Sequence, residues 1–339
     1  MTVRRLSPGT AALLTRVAAA VLLELAAGAG LAYIAGFGTV RTVLAAFDPV
    51  WIAVVAGALL VSFGGYLGAY WGIFRVEAGP PLSARQIGTV AAAGFGGFLA
   101  NGAGALERTA LEAAGADRGD ARARLIGLAG LEQGVLAIGA CGTAIAVLAV
   151  GASRPAAEYT IPWAVIPVPG LVLAFWAAER YRHRFAGQPG WRGALGTFLT
   201  SIHLIRELVV HPWPWAPAAV GMALFWAADS FAAWSALAAF GYRMGPATFF
   251  VGFATGMVFT RRTGPLAGAG ILALVLPLTI WTSGAPFAVA VAGVFTYRML
   301  CIVLPLPVSL AILPMLREMT RGGQHGEGGP CSVATAPRR

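Results

Sequence analysis

The chain has 339 residues, of which 58% are hydrophobic and only 11% charged, and its mean hydropathy is +0.74. A soluble domain carries about 25% charged residues, so this chain has too little charge to cover a water-facing surface. All 24 basic residues are arginine and the net charge is +10. In a membrane protein that excess is typical of cytoplasmic loops beside anionic lipid. Nucleic acid is not an expected partner, because only short loops and a tail lie outside the membrane.

The uncharged stretches predict an all-α, polytopic membrane protein of about eight transmembrane helices. A helix needs about 20 apolar residues to cross a hydrocarbon core of roughly 30 Å. We place the spans near residues 11–36, 49–74, 125–150, 161–178, 215–240, 246–261, 265–283 and 287–316. The residues Thr282 to Pro286 form a predicted turn before the last span.

Two apolar stretches are poorer candidates for spans. Residues 86–106 contain six glycines and residues 193–205 are too short. We expect both to be re-entrant or interfacial segments that enter and leave on the same side. Residues 1–10 are then a cytoplasmic N-terminus, 11–316 a single helical transmembrane domain, and 317–339 a disordered cytoplasmic tail.

The distribution of arginine orients this layout. If the N-terminus is cytoplasmic, only Arg41, Arg154 and Arg243 fall in outside loops, and most other arginines fall inside. This asymmetry follows the positive-inside rule, and it holds only if 86–106 and 193–210 do not cross. We therefore expect a multi-pass protein of a bacterial plasma (inner) membrane with both termini cytoplasmic.

Several charged residues lie where charge is expensive, at about 2.5–3.5 kcal/mol near the bilayer centre on insertion scales. Arg298 follows 35 uncharged residues, and no local acid neutralises it. We expect it to pair with one acid on another helix, and the candidates are Glu24, Glu107, Glu132 and Asp229. Such a pair could be a structural clamp or part of a path for a phosphate group. For Glu24, Glu132 and Asp229, the alternative interpretation is a purely structural partner on another helix.

The segment from Asn101 to Arg108 reads NGAGALER. Glycine lets the chain turn and lets backbone amides face a cavity. A helix that begins near Gly104 would favour an anion at its N-terminus, and Arg108 could hold a phosphate with two hydrogen bonds. The alternative is a cytoplasmic elbow in which Glu107 and Arg108 are solvated.

A second glycine-rich break begins beside Arg261 and Arg262 and continues through Pro265, Gly268 and Gly270. It is a candidate site for an anionic headgroup, and it is also what an ordinary positive-inside loop looks like. Small residues four apart, at Gly64/Gly68 and Gly252/Gly256, permit close helix packing.

No motif indicates a cofactor or catalysis. The three cysteines do not make a disulfide framework. The histidines at 183, 203 and 211 lack the spacing of metal ligands, and the chain contains no nucleotide-binding loop, nucleophile elbow or zinc motif. We therefore expect neither a metal nor an organic cofactor, and no enzymatic activity.

The order of these features resembles the transmembrane domain of lysylphosphatidylglycerol synthases and their stand-alone relatives, the flippase-like integral membrane proteins. The resemblance covers most of residues 11–316. The matching features are an Asp-Pro-x-Trp entry to the second helix (Asp48, Pro49, Trp51), the break with Asn101, Glu107 and Arg108, a helix opening with Glu132, a span bearing Asp229, the turn with Pro265, Gly268 and Gly270, and a closing helix with Tyr297 and Arg298.

The resemblance implies that the chain binds an anionic or polyprenyl-linked lipid and moves its headgroup between leaflets. The expected lipid-binding residues are Asn101, Glu107, Arg108, Glu132, Asp229, Arg261, Arg262 and Arg298. Aminoacylation is not expected, because the soluble transferase domain of the synthases has no counterpart in this sequence. Two other classes stay open: a secondary transporter of a small solute, coupled through Asp229, and a non-transporting membrane partner of an envelope glycosyltransferase or other envelope-biosynthesis enzyme.

Overall fold

The protein is all-helical in the computed structural model, and no strand occurs among the residues that it describes. The described residues are 8–75, 83–101, 107–108, 111–112, 116–151, 157–185, 187–258, 270–308, 310–312 and 314. Within them the chain forms twelve helices of nine residues or more. These are α1 (Pro8–Ala35), α2 (Phe37–Ala45), α3 (Val50–Ile73), α4 (Ala84–Asn101), α5 (Arg118–Val150), α6 (Ala157–Val165), α7 (Pro167–Phe185), α8 (Gly190–Val210), α9 (Pro212–Ala238), α10 (Pro246–Met257), α11 (Ile271–Thr282) and α12 (Phe287–Val303).

The predicted class, a polytopic helical membrane protein, is confirmed. Among the described residues six helices are long and apolar enough to cross a membrane, and the count is seven if the bent pair α6 and α7 forms one span. That pair bends by 41° at Ile166, directly before Pro167. A residue before proline is disfavoured in helical conformation, which explains why the predicted span 161–178 is broken there.

The closest helix contact joins α3 and α9, which run antiparallel. A Cβ atom on Gly65 would lie 2.5 Å from the backbone nitrogen of Phe225, and one on Gly72 would lie 2.3 Å from the Cβ of Ala218. The two backbones can approach this closely only because these positions carry no side chain or a methyl group. The residue that faces α9 is thus Gly65, whereas Gly64 of the predicted pair is exposed and meets nothing within 4 Å.

The basic end of the bundle is the end where α3 finishes at Ile73 and α5 begins at Arg118. Arg124 of α5 donates to the Ile73 carbonyl oxygen at 3.0 Å, and Trp226 of α9 donates to the Glu132 carbonyl oxygen at 2.7 Å. The helix α5 therefore runs parallel to α9 and antiparallel to α3. Exposed arginines cluster at this end, including Arg75, Arg118 and Arg184.

The helix α8 lies at the basic end, and both of its ends are there. The Ser201 hydroxyl donates to the Ala123 carbonyl oxygen at 2.9 Å, and His203 Nδ1 lies 3.6 Å from Glu179 Oε2 of α7. After a single residue, α9 begins beside the end of α3. The helix α8 is long and apolar enough to cross a membrane and is one of the six candidate spans, so the expectation that 193–205 does not cross stays a prediction.

The two spans predicted at 246–261 and 265–283 each contain a described helix of 12 residues, α10 and α11, which rises about 18 Å. Residues 259–269 of these spans lie outside the described part of the chain. The two helices pack antiparallel, because Gly252 faces Thr279 and Ser283 while Gly256 faces Leu276. The predicted turn at 282–286 is present: α11 ends at Thr282, Gly284 has φ +112°, and α12 begins at Phe287.

Candidate functional site

Of the four candidate acids, the partner of Arg298 is Glu24. On α12, Arg298 donates through Nη2 at 2.7 Å and through Nε at 3.0 Å to the same oxygen, Glu24 Oε1 of α1. Both side chains are at least 95% buried. The expectation that Arg298 pairs with an acid on another helix is therefore confirmed, and the pair fixes α1 against α12 within the apolar bundle.

The residue before Arg298 makes a second polar contact in the opposite direction. The hydroxyl of Tyr297 donates to Asp229 Oδ2 of α9 at 2.9 Å, and both residues are fully buried. Two consecutive residues of α12 thus hold α1 and α9. Of the predicted site residues, Asp229 and Arg298 are brought near each other, with Tyr297 and Glu24 as the groups that each one contacts.

Glu107 lies elsewhere, against α3. Its Oε1 accepts hydrogen bonds from the hydroxyls of Tyr66, at 3.4 Å, and Tyr70. The residue is 2% exposed, so the interpretation of a solvated elbow is wrong for Glu107. Arg108 does have a half-exposed side chain, and it lies 3.7 Å from Glu112.

Of the remaining predicted site residues, Glu132 has a described side chain, whereas those of Asn101, Arg261 and Arg262 lie outside the described residues. Glu132 is buried on α5, and Arg124 bonds to Asp120 and to the Ile73 carbonyl oxygen. Asn101 is the last residue of α4. Its side chain lies outside the described residues, as do Gly104, Arg261, Arg262, Pro265 and Gly268. The two predicted glycine-rich anion sites therefore stay predictions.

A cavity of about 590 Å³ lies between α5, α9 and α10, and we call it the α9 cavity. Among the described residues, its walls are mostly apolar and contain no charged side chain. They are formed by Gly139, Thr143, Ala227, Ser230, Phe231, Trp234, Pro246, Ala247, Phe249 and Phe250. Phe231 and Trp234 stack with ring centroids 6.0 Å apart, and Phe231 is 48% exposed. The volume is within the range of about 300–1,000 Å³ that is usual for small-molecule sites.

The two hydroxyl groups in the cavity wall are already bonded to their own helices. Thr143 donates to the Gly139 carbonyl oxygen at 2.9 Å, and Ser230 donates to the Ala227 carbonyl oxygen at 3.0 Å. The wall therefore presents an apolar surface, which suits a hydrocarbon chain better than a polar solute.

The sequence did not predict this cavity. The predicted site residues are polar or charged, and none of those with a described side chain lines the α9 cavity. The segment FWAADSFAAW does alternate small and aromatic residues around Asp229, but the same composition occurs on packed helix faces. No protein-family model matches the chain, and a search of curated proteins found no match.

Proposed function

We propose that the protein binds a membrane lipid through the α9 cavity and moves it between the two leaflets. The observation that carries this proposal is an apolar cavity bordered by a half-exposed phenylalanine within a transmembrane helix. At that depth an exposed side chain contacts hydrocarbon, so a lipid chain can enter from the side. The expected lipid class is anionic or polyprenyl-linked, as the resemblance to flippase-like proteins implies.

The charged residues have a different part in this proposal from the one expected. Arg298 and Glu24 neutralise each other away from the cavity wall, so we assign them to holding the helices together. If the protein were a non-transporting membrane partner, its buried charges would be paired and it would have no cavity. The Glu24–Arg298 pair fits the first condition, but the α9 cavity does not fit the second. A secondary transporter of a polar solute would need polar groups in the cavity wall, where both hydroxyls are engaged.

A scrambling assay in liposomes tests the proposal. Purified protein is reconstituted with a fluorescent phospholipid in both leaflets, and a membrane-impermeant reductant then bleaches the outer one. Wild-type protein is expected to move labelled lipid from the inner to the outer leaflet, so that the reductant bleaches the inner pool as well. The variant Ala227→Trp fills the cavity and is expected to reduce the rate at least tenfold.

The matched control is Ala223→Trp, one turn earlier on the same helix. Ala223 is also exposed but does not line the cavity, so this variant is expected to keep the wild-type rate. Bleaching in wild-type vesicles that equals bleaching in empty liposomes would overturn the proposal. Equal rates in Ala227→Trp and wild type would show that the α9 cavity is not the route.

A further inference from the structure

A cation, Arg243, lies near the wall of the α9 cavity that contains Trp234. This wall is at the end of the bundle where α3 begins and α9 finishes, opposite the basic end, and we call it the far end. Arg243 lies in the short connection between α9 and α10, and its side chain is exposed. Its guanidinium carbon is 5.9 Å from the ring centroid of Trp51, and Trp51 packs edge-on against Trp234 at 6.3 Å. Trp234 is itself a wall of the cavity.

The backbone fixes this arrangement. Trp234 Nε1 donates to the Met244 carbonyl oxygen at 2.8 Å, which ties the residue after Arg243 directly to the cavity wall. Pro246 and Ala247, three and four residues after Arg243, line the cavity. A ligand held in the cavity therefore has Arg243 within reach as it leaves the apolar region.

The positive charge of the Arg243 guanidinium can interact with a ligand. Among the residues that the structure describes, no carboxylate lies within ion-pair distance of it. Asp48, two residues before α3, has a carboxylate that accepts a hydrogen bond from the Val50 backbone nitrogen at 3.0 Å. The guanidinium presents several donors in a plane, which matches the oxygens of a phosphate group.

We infer that Arg243 and the α9 cavity form one binding site for a phosphate-bearing lipid, with the hydrocarbon chain in the cavity and the phosphate group at Arg243. This inference rests on the proposed function and specifies its ligand. The edge-on pair Trp51 and Trp234 lies between the two parts, with Trp234 in the cavity wall and Trp51 beside the guanidinium of Arg243. The phosphate therefore binds at the far end, so the site loads from the leaflet at that end.

Lipid binding to the purified full-length protein in neutral detergent tests the inference, with dissociation constants read by native mass spectrometry. The probes are dioleoyl phosphatidic acid and dioleoylglycerol, which have the same chains with and without the phosphate. Arg243→Gln is expected to weaken binding of phosphatidic acid roughly tenfold, the usual effect of one charge-assisted hydrogen bond of about 1.4 kcal/mol or more. Binding of dioleoylglycerol is expected to stay unchanged, and Arg243→Lys is expected to lose less.

The matched control is Arg41→Gln. Arg41 is an exposed arginine of α2, and the segment after α2 packs at the same end through Phe47 and Phe240. This variant removes the same charge without touching the cavity, and it is expected to bind both lipids as wild type does. Equal loss in Arg41→Gln and Arg243→Gln would overturn the site and leave only a general charge effect.

The two probes separate this inference from the proposed function. If wild type binds both lipids equally and Arg243→Gln changes neither, the phosphate site is wrong while the cavity proposal stands. If wild type binds neither lipid, both are wrong.

Discussion

The two faces of α9 use similar residues for opposite purposes. Toward α3, Ala218 and Gly221 meet Gly65 and Gly72 at backbone contact, and no space remains. Toward α5 and α10, Ala227 and Ser230 face a cavity of about 590 Å³. A small residue permits close approach only where the facing helix also carries small residues. On α10 the residues that line the cavity include the bulky Phe249 and Phe250.

From this difference we expect the packed side of the molecule, α1, α3, α9 and α12, to contribute most to stability, and the open side to carry the proposed lipid binding. The packed side also contains the buried Glu24–Arg298 pair. The open side contains uncharged walls and a half-exposed phenylalanine. Variants on the packed side should therefore change the free energy of unfolding, and variants on the open side should change ligand binding or transport.

The largest effect is expected from breaking the Glu24–Arg298 pair. Arg298→Met leaves the Glu24 carboxylate buried without its cation, which should lower the free energy of unfolding by about 3–5 kcal/mol. Glu24→Leu should do the same to the arginine. Unfolding by increasing mole fraction of sodium dodecyl sulfate in mixed micelles measures both.

The double variant Glu24→Leu/Arg298→Met is the control for this pair. Replacing both charges by apolar groups of similar size is often nearly neutral, so the double variant should recover most of the lost stability. A double variant as unstable as the two single losses combined would mean that the two residues stabilise the bundle independently.

A smaller effect is expected at the α3–α9 contact, where two adjacent glycines provide a matched comparison. Gly65→Ala places a methyl group 2.5 Å from the Phe225 backbone nitrogen and should destabilise by about 1–3 kcal/mol, as overpacking does. Gly64→Ala meets no atom within 4 Å and should be neutral or stabilising by up to about 1 kcal/mol. Equal changes in the two variants, measured by the same unfolding assay, would contradict the close α3–α9 contact.

The physics of charge in hydrocarbon made part of this molecule predictable. An arginine after 35 uncharged residues needs a buried partner, so the sequence predicts that Arg298 is paired. The choice among four acids depends on which helices are neighbours, and that information is not local. The turn at 282–286 was predictable for a different reason, since Gly284 and Pro286 act on their own backbone.

The cavity could not be predicted by the same reasoning, because a void results from the fit between helices rather than from any one residue. Thr143, Ala227 and Ala247 have no distinguishing pattern in the sequence, and they line one space only because the fold brings α5, α9 and α10 together. Arg243 was predicted only as an outside-loop arginine, and its position beside Trp51 depends on the tertiary fold.

The smallest effect on stability is expected on the open face, from Ala227→Trp. The added indole enters existing space, so the free energy of unfolding should change by no more than about 1 kcal/mol, as is usual for substitutions away from a packed core. The same substitution at Ala218, whose Cβ already lies 2.3 Å from a Cβ built on Gly72, has no space and should destabilise the protein by about 1–3 kcal/mol, as overpacking does. Unfolding in mixed micelles again provides the measurement.

A large loss of stability in Ala227→Trp would mean that the cavity is closed in the folded protein and that both faces of α9 are packed. A small loss together with slower scrambling would separate the two faces, because the residue would then matter for the lipid and not for the fold.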